Sequence, residues 1–356
     1  MTDGVALVYC DEHFDTMWGK TAHGLVRFTR RYDVAGVIDS KLAGKDAGEY
    51  LDGKKSGILI YDCIDSAVEA AVEAGNPITH FVFGIATDGG RLTQKMRDDI
   101  LHALSLGLNV DCGLHYFLSE DPQMVEAAKK HNVVIRDIRK IPPRNELHSY
   151  TGRIREVRSF RIALLGTDSC VGKRTTAWKL ADALNDAGIR TEMIGTGQTA
   201  WLQGARYGVR MDSLINDFVA GEIEHAILSA WDEQSPDVMI IEGQGSLMNP
   251  LYPGGMEILS AGQPDAIVVQ HSPKRTEYDG IPGAKIHPLD TQLQAIRLLS
   301  GKPVIAVTVN HEMIGQDDIA IECAKIAEET HLITLDPLVD DLTPLVELIR
   351  EKMKER

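Results

Sequence analysis

The residues best suited to chemistry in this chain of 356 residues form a loop bounded by two glycines. The segment reads Gly166-Thr167-Asp168-Ser169-Cys170-Val171-Gly172-Lys173-Arg174-Thr175-Thr176, between an apolar run and a helical pattern. Glycines let backbone N–H groups turn inward, while a helix N-terminus and a lysine add positive charge at the same point. We therefore predict a phosphate-binding P-loop made by Gly166, Thr167, Ser169, Gly172, Lys173, Arg174, Thr175 and Thr176.

The loop differs from the common P-loop in two respects. Five residues separate Gly166 from Gly172, one more than usual, and Arg174 stands where a Ser or Thr normally binds magnesium. Thr175 is one residue further on, which turns a helical side chain by about 100°. The pattern thus indicates phosphate binding more clearly than hydrolysis of Mg-ATP. If Mg-ATP is used, Glu242 and Thr175 are the expected metal ligands.

Further candidates follow other apolar runs of the second half. Glu242 ends the run Val238–Ile241, where an acidic residue beside a P-loop can activate a nucleophile or bind a metal. His271 follows the run Ala266–Val269 and has the pKa range of a general base. Asp168, inside the loop, is a base or second metal ligand if ATP is the substrate. The predicted catalytic residues are Glu242, His271 and Asp168.

Polar side chains near the same presumed strand ends are candidates for substrate binding. Arginine can bind a carboxylate through two parallel hydrogen bonds, and glutamine and serine can complete such a site. Solvated or helix-capping roles are the alternative for each residue taken singly. The predicted substrate-binding residues are Gln198, Arg206, Arg210, Gln244, Ser246 and Arg275.

Short apolar runs alternate with helical patterns along the chain, which predicts mostly parallel sheets covered by helices. The fold class is α/β, with a Rossmann-like domain over residues 1–140 and a P-loop domain over 159–356. A charged segment containing Pro142-Pro143 predicts a linker over 141–158. Asp65 is the expected N-cap of one helix, and Asp121-Pro122 begins another. The first domain lacks a G-x-G-x-x-G fingerprint after its first strand, and Gly84–Gly90 is interpreted as an ordinary glycine turn.

Composition excludes several classes of function. The net charge of −15, without a stripe of Lys and Arg, argues against nucleic-acid binding. No apolar run reaches the roughly 20 residues that span a bilayer, and the N-terminus lacks a signal-peptide pattern, so we expect a cytoplasmic protein. Five scattered cysteines indicate neither a disulfide framework nor a zinc site. The expected partner is a small-molecule substrate, and a homo-oligomer is the default for such enzymes.

Two families resemble this sequence. The loop, with the later Glu242-Gly243, is similar to the wide P-loop and Glu-Gly turn of dethiobiotin synthetase. Along its whole length the chain resembles the P-loop family that includes the D-glutamate N-acetyltransferases of bacterial D-glutamate catabolism. The segments that carry the second resemblance are Asp46–Glu49, Gly113–Ser119, 166–176, Thr196–Thr199, Glu242–Leu247 and Pro264–Ala266.

The full-length resemblance implies transfer of an acetyl group from acetyl-CoA to the amine of D-glutamate. Coenzyme A carries a pyrophosphate and a 3′-phosphate, which suit a P-loop that cleaves nothing. Acyl transfer to an amine needs a base and stabilisation of an oxyanion, for which we predict Glu242 or His271 and the backbone N–H groups of Gly243–Gly245. Arg206, Arg210 and Arg275 are candidates for the two substrate carboxylates.

Three alternatives remain open. The likeness to dethiobiotin synthetase implies an ATP- and Mg-dependent ligase or kinase acting on a small carboxylic or amino acid. A nucleotide-regulated binding protein would use the loop to sense its ligand, although no switch segment stands out. A nicotinamide-dependent dehydrogenase is weakened by the missing glycine fingerprint.

Overall fold

The structure, a computed structural model, describes residues 2–87 and 90–356, so Gly89 of the predicted glycine turn lies outside the described residues. The chain divides into two compact units. One comprises residues 1–141 and Gln198–Gly204, and the other comprises 142–197 and Ala205–Arg356. Each unit has its own parallel sheet, which confirms the predicted α/β class. Among the described residues, no helix is both long and apolar enough to cross a membrane.

The sheet of the first unit has six parallel strands in the order β3-β2-β1-β4-β5-β6, the order of a Rossmann fold. Helices cover both faces of such sheets, and the strands are accordingly apolar on both sides. Leu7, Val8, Phe81 and Val82, for example, have no exposed surface. The strands are β1 (Gly4–Tyr9), β2 (Tyr32–Ile38), β3 (Leu59–Tyr61), β4 (His80–Phe83), β5 (Asn109–Cys112) and β6 (Ile135–Asp137).

The helices of the first unit begin largely where capping residues predict. Asp121 accepts hydrogen bonds from the backbone N–H groups of Gln123 and Met124, and Pro122 occupies the first turn, as predicted. Asp65 is not an N-cap, because its helix begins one residue earlier, after Cys63. The helices are α1 (Lys20–Arg27), α2 (Ala47–Asp52), α3 (Ile64–Glu73), α4 (Gln94–Ser105), α5 (Pro122–His131) and α7 (Gln198–Leu202).

The loop after β1, which binds pyrophosphate in dinucleotide-binding folds, is here held by buried side chains. Cys10 and Phe14 have no exposed surface. The Asp39 carboxylate accepts a hydrogen bond from the backbone N–H of Phe14 at 2.8 Å, and Asp11 accepts one from Ser40 at 2.8 Å. This clamped loop differs from a glycine-rich cradle and weakens the dehydrogenase hypothesis further.

Helix α7 belongs to the first unit, although the residues on either side of it belong to the second. The Gln203 amide donates to the carbonyl oxygens of Gly24 at 2.8 Å and Phe28 at 3.0 Å, at the end of α1. The Arg31 guanidinium lies 3.8 Å from the ring centre of Trp201. The sequence pattern had assigned this segment to the second domain.

The sheet of the second unit has seven parallel strands in the order β13-β12-β11-β7-β10-β8-β9. The strands are β7 (Phe160–Gly166), β8 (Thr191–Gly195), β9 (Tyr207–Gly208), β10 (Val238–Glu242), β11 (Ala266–His271), β12 (Val304–Val309) and β13 (Ile333–Leu335). The helices are α6 (Lys173–Asp186), α8 (Asn216–Gln234), α9 (Met256–Gly262), α10 (Leu289–Ser300), α11 (Ile319–Thr330) and α12 (Thr343–Glu355).

The segment predicted as a linker packs on helix α8 of the second unit. The buried Glu224 carboxylate accepts hydrogen bonds from the backbone N–H groups of Thr151 at 2.6 Å and Ile154 at 3.0 Å. A Cβ on Gly221 would lie 2.0 Å from the carbonyl oxygen of His148, so only glycine fits there. This part of the chain is therefore an ordered strap along α8.

Candidate functional site

The P-loop leaves the central strand of the second sheet. β7 pairs with β10 on one side and with β11 on the other, with Leu164 opposite Glu242 and Gly166 opposite Gln270. β8 lies beyond β10. Because all these strands are parallel, their carboxyl ends meet at one edge, where open α/β sheets bind ligands. The structure thereby brings together the loop, Glu242 and His271.

Two residues with a left-handed backbone conformation shape the loop. Cys170 has φ of 53° and Gly172 has φ of 102°, and such turns point successive backbone N–H groups into a concave anion site. A Cβ on Gly166 would lie 2.8 Å from Cδ of Lys173, because the lysine side chain folds back across the end of β7. The positive φ of Gly172 favours glycine there, and a side chain at Gly166 would displace the Lys173 side chain.

Lys173, the first residue of α6, holds its ammonium group inside the loop. Nζ donates to the carbonyl oxygens of Asp168 at 2.6 Å and Gly245 at 2.8 Å, and the residue is only 7% exposed. Burial lowers the pKa of Lys173 from 10.5 to about 8. A phosphate group bound here would meet a desolvated positive charge, which binds anions more strongly than an exposed one.

This lowered pKa predicts a pH dependence of ligand binding. Below about pH 8 Lys173 carries its proton, whereas above it the free protein must take up a proton to bind a phosphate. We expect the affinity for a phosphate-bearing ligand, with acetyl-CoA and ADP as the two probes, to be constant below that pH and to fall by up to about tenfold per pH unit above it. Calorimetric titration from pH 6 to pH 10 would measure the slope. Lys173→Arg, which stays charged throughout, should bind without it, and an equal slope in both proteins would contradict the assignment.

Asp168 is buried at the centre of a hydrogen-bonded network. Its side-chain oxygens accept from the backbone N–H groups of Ser169 at 2.7 Å and Asp279 at 2.8 Å. They also accept from the Asn249 amide at 2.7 Å and the Arg275 guanidinium at 3.0 Å. Four donors satisfy the acceptor sites of this carboxylate, an arrangement that suits positioning of the loop better than proton transfer. Its catalytic role stays a prediction.

The network predicts a large stability effect for Asp168→Asn. The substitution removes a fully buried charge from Arg275 and places an amide against other donors, so we expect a loss of about 3–5 kcal/mol. Denaturant unfolding would measure it. Glu312→Gln is the matched control, because Glu312 pairs with the same arginine but its side chain is 43% exposed, and it should cost less than about 1 kcal/mol. Equal losses in the two variants would contradict the positioning role.

Glu242 lies buried at the end of β10. Its Oε2 accepts a hydrogen bond from the backbone N–H of Thr196 at 2.9 Å. Burial raises the pKa of Glu242, against the opposing charges of Arg174 and Lys173. The amide of Gln244 donates to Thr196 Oγ1 at 3.0 Å, so this predicted substrate-binding residue adjoins the carboxylate.

His271 is the last residue of β11, next to the loop. Its Nδ1 lies 3.0 Å from the hydroxyl of Thr167, a residue without exposed surface. Burial lowers the pKa of His271 to about 4, so the ring is neutral at pH 7. A base of this strength is far from the operating pH, whereas the pKa of Glu242 is shifted towards it. The effect of burial on the two pKa values therefore favours Glu242 over His271 as the base.

Other predicted residues of the loop region are engaged within the second unit. Ser169 Oγ donates to the Asp279 carboxylate, and Ser246 Oγ accepts from the backbone N–H groups of Met248 and Asn249. Both hydroxyls therefore stabilise turns, and their ligand-binding roles stay predictions. A Cβ on Gly243 would lie 2.3 Å from the Leu164 carbonyl oxygen, so this glycine lets the chain pass close to β7, and the oxyanion role of its backbone N–H stays a prediction.

The three predicted arginines differ in the partners of their guanidinium groups. Arg275 donates to Asp168, to the carbonyl oxygen of Ser169 and to Glu312, which occupies its guanidinium. Arg206 forms an exposed ion pair with Glu233 at 2.7 Å. Arg210 is half-buried, the charge of Glu222 acts on its guanidinium, and no hydrogen bond or ion pair joins that guanidinium to another side chain among the described residues.

Gln198, another predicted substrate-binding residue, lies on α7 in the first unit. It is 4% exposed, and its amide donates to Thr21 Oγ1 at 3.0 Å. A Cβ on Gly113 would lie 1.4 Å from its Oε1, so the side chain packs directly on that glycine. Its role in substrate binding stays a prediction.

The sequence analysis missed several polar residues that hold the loop. Gln270 Oε1 accepts hydrogen bonds from Thr176 at 2.5 Å and Thr308 at 2.6 Å, and Asn310 donates to the carbonyl oxygen of Val171 at 2.9 Å. Both residues stand at or just after strand ends, a signal that could have identified them. Asn249 and Asp279 lie in irregular segments that carry no such signal.

Comparison with known proteins identifies both units. A family model described as the DUF1611_C P-loop domain of unknown function matches residues 148–346, and the DUF1611_N Rossmann-like domain matches residues 40–141. The crystal structure of a DUF1611 family protein from Anabaena variabilis ATCC 29413 superposes with a TM-score of 0.89 at 24% identity. The alignment covers 99% of this chain and 100% of that one, which shows a shared fold.

Two curated relatives share the sequence more closely. A protein named D-glutamate N-acetyltransferase from Tritonibacter scottomollicae is 29% identical over 262 residues, 72% of this chain and 76% of the relative. Another of that name from a Pseudoalteromonas species is 30% identical over 277 residues, 75% of this chain and 80% of the relative. The chain belongs to the DUF1611 family.

Proposed function

We propose that this protein is an N-acetyltransferase that moves the acetyl group of acetyl-CoA to the amine of D-glutamate. The observation that carries the proposal is the similarity over three quarters of the chain to two proteins named D-glutamate N-acetyltransferase. The P-loop supports it, because the phosphates of coenzyme A need an anion site that performs no chemistry on them.

The proposed ligand arrangement follows from the loop. The inward-turned backbone of 166–172, the N-terminus of α6 and the Lys173 ammonium bind the phosphates of coenzyme A. Asp168 and Arg275 keep the loop in this conformation through their buried ion pair. The loop therefore anchors the donor substrate, and the reacting thioester extends from it.

Glu242 is the proposed general base. The substrate ammonium gives up one proton before its nitrogen attacks the thioester carbonyl, and a second as the C–N bond forms and the C–S bond breaks. One proton is returned to the sulfur of coenzyme A and the other reaches solvent. A buried carboxylate at the end of a strand beside the P-loop, with its pKa raised by burial, is suited to accept such a proton.

Arg210 is the proposed ligand for a substrate carboxylate. Hydrogen bonds from the backbone N–H groups of Val209 to Gly195 at 2.8 Å and of Met211 to Thr196 at 3.2 Å place its backbone beside the end of β8. Thr196 in turn contacts Glu242. Arg206 and Arg275 already pair with carboxylates of the protein, whereas Arg210 pairs with none among the described residues.

The test is an assay with purified protein, acetyl-CoA and D-glutamate. Release of free thiol and formation of N-acetyl-D-glutamate, in equal amounts, are the expected results. L-Glutamate and D-glutamine as acceptors report on stereochemistry and on the side-chain carboxylate. Turnover that requires ATP and magnesium, with no thiol released from acetyl-CoA, would replace the proposal with a ligase or kinase.

A further inference from the structure

The P-loop fold implies a magnesium ion, and the oxygen donors of this site can be compared with what that ion needs. In P-loop NTPases the residue after the P-loop lysine supplies a hydroxyl to Mg²⁺, and an acidic residue on a neighbouring strand completes the site. Mg²⁺ demands octahedral oxygen ligands at about 2.0–2.1 Å. The corresponding positions in this chain are Arg174 and Glu242.

The hydroxyl groups near the lysine are placed for other purposes. Arg174 has no side-chain oxygen. Thr175 is one residue further along the helix, so its side chain points about 100° away from the direction of Arg174. Thr176 is 2% exposed and donates to Gln270 Oε1 at 2.5 Å, which ties it to the underlying strand β11. Asp168, the other acidic residue of the loop, accepts four hydrogen bonds from the protein.

The charge of a cation of the protein already acts on the acidic residue. Arg174, the second residue of α6, is half-buried, and its charge acts on the Glu242 carboxylate more strongly than that of Lys173. The carboxylate also accepts a hydrogen bond from Thr196. Glu242 is thus compensated by fixed positive groups, where a P-loop NTPase would supply a metal ion.

We infer that Arg174 takes the place of the magnesium ion, so that the loop binds the phosphate groups of its ligand without a metal. The inference rests on the proposed function for the identity of that ligand, but not for the metal independence itself. A guanidinium presents its N–H donors in a rigid fork that fits phosphate oxygens. It is always in place, whereas a metal ion is delivered with a nucleotide. Such a loop suits a pyrophosphate that is held and never cleaved.

Calorimetric titration of the full-length protein tests the inference, with acetyl-CoA and ADP as separate probes. Each titration is run in EDTA and again in magnesium chloride. We expect equal acetyl-CoA affinity in the two buffers. Arg174→Thr restores the usual hydroxyl, and in EDTA it should lose roughly ten- to hundredfold in affinity, the worth of a charge-assisted hydrogen bond. Magnesium should restore part of that loss. Arg174→Lys, which keeps the charge, is the matched control and should remain independent of magnesium.

The two probes separate this inference from the proposed function. If acetyl-CoA fails to bind while ADP binds equally in both buffers, the acetyltransferase proposal fails and the metal-free loop stands. If magnesium strengthens the binding of either probe to the unmodified protein by about tenfold or more, the inference is overturned. Binding of neither probe in either buffer would overturn it as well, because the loop would then not be an anion site.

Discussion

Replacing Glu242 with glutamine is expected to lower kcat for acetyl transfer by about 10²- to 10⁴-fold, the usual contribution of a general base. Glutamine keeps a carbonyl oxygen for the hydrogen bond from Thr196, so the turn after β10 is retained. It cannot accept a proton from the substrate amine. In the proposed function acetyl-CoA is bound by the loop, and losing a negative charge beside Lys173 and Arg174 should not weaken that binding, so its KM should not rise. Steady-state kinetics with thiol detection would measure both constants.

The control for this variant is Glu277→Gln, which makes the same change at an exposed ion pair with Lys285. Its kcat should equal that of the unmodified protein. Circular dichroism and the unfolding midpoint would show whether Glu242→Gln folds normally. A folded Glu242→Gln protein that loses less than about tenfold in kcat would remove Glu242 as the base, and His271 would then be the next candidate.

Replacing Lys173 with methionine is expected to weaken acetyl-CoA binding by about 100-fold, because the variant lacks the charge that meets the phosphates. The same change should not destabilise the protein. The folded-state pKa of about 8 lies below the ordinary 10.5, so the buried charge costs stability at every pH below 8. At pH 7 removing this charge can raise the free energy of unfolding by up to about 3 kcal/mol. The loss of the two hydrogen bonds from Nζ to the carbonyl oxygens of Asp168 and Gly245 reduces that gain.

The expected result for Lys173→Met is therefore weaker acetyl-CoA binding with no loss in the free energy of unfolding. Calorimetry with acetyl-CoA and denaturant unfolding at pH 7 would measure the two quantities on the same preparation. Lys179→Met, an exposed position on the same helix α6, should change neither. Loss of affinity together with a loss of several kcal/mol in unfolding free energy would mean that Lys173 supports the fold, and that weaker binding is only a consequence.

Much of the fold could be predicted because its signals are local. The apolar runs that became β1, β2, β7, β10 and β11 lie between polar or glycine residues, and their alternation with helices requires a parallel sheet. The P-loop was identifiable because strand, glycines, lysine and helix are consecutive in sequence. Short edge strands such as β9 (Tyr207–Gly208) and β13 (Ile333–Leu335) escaped prediction, since two or three residues carry no period.

The candidate site was predicted only where strand ends determine it. Glu242 and His271 reached the loop because parallel strands β10 and β11 flank β7. The roles of the arginines and of Asp168 depend on partners far away in sequence, such as Glu312 for Arg275 and Asn249 for Asp168. Residue type cannot reveal whether a guanidinium is already paired, so Arg206, Arg210 and Arg275 looked alike before the contacts were known.

The excursion of α7 into the first unit limits how this protein can be divided. A Cβ on Gly204 would lie 3.0 Å from that of Arg30, and Gln203 occupies the carbonyl groups at the end of α1. A gene cut after residue 141 would remove the buried helix α7 from the Rossmann-like part. The P-loop part would keep that apolar helix between β8 and β9 without the residues that cover it. To exchange the first unit intact, recombination between family members therefore needs a crossover at the linker and two more, at 197 and 205.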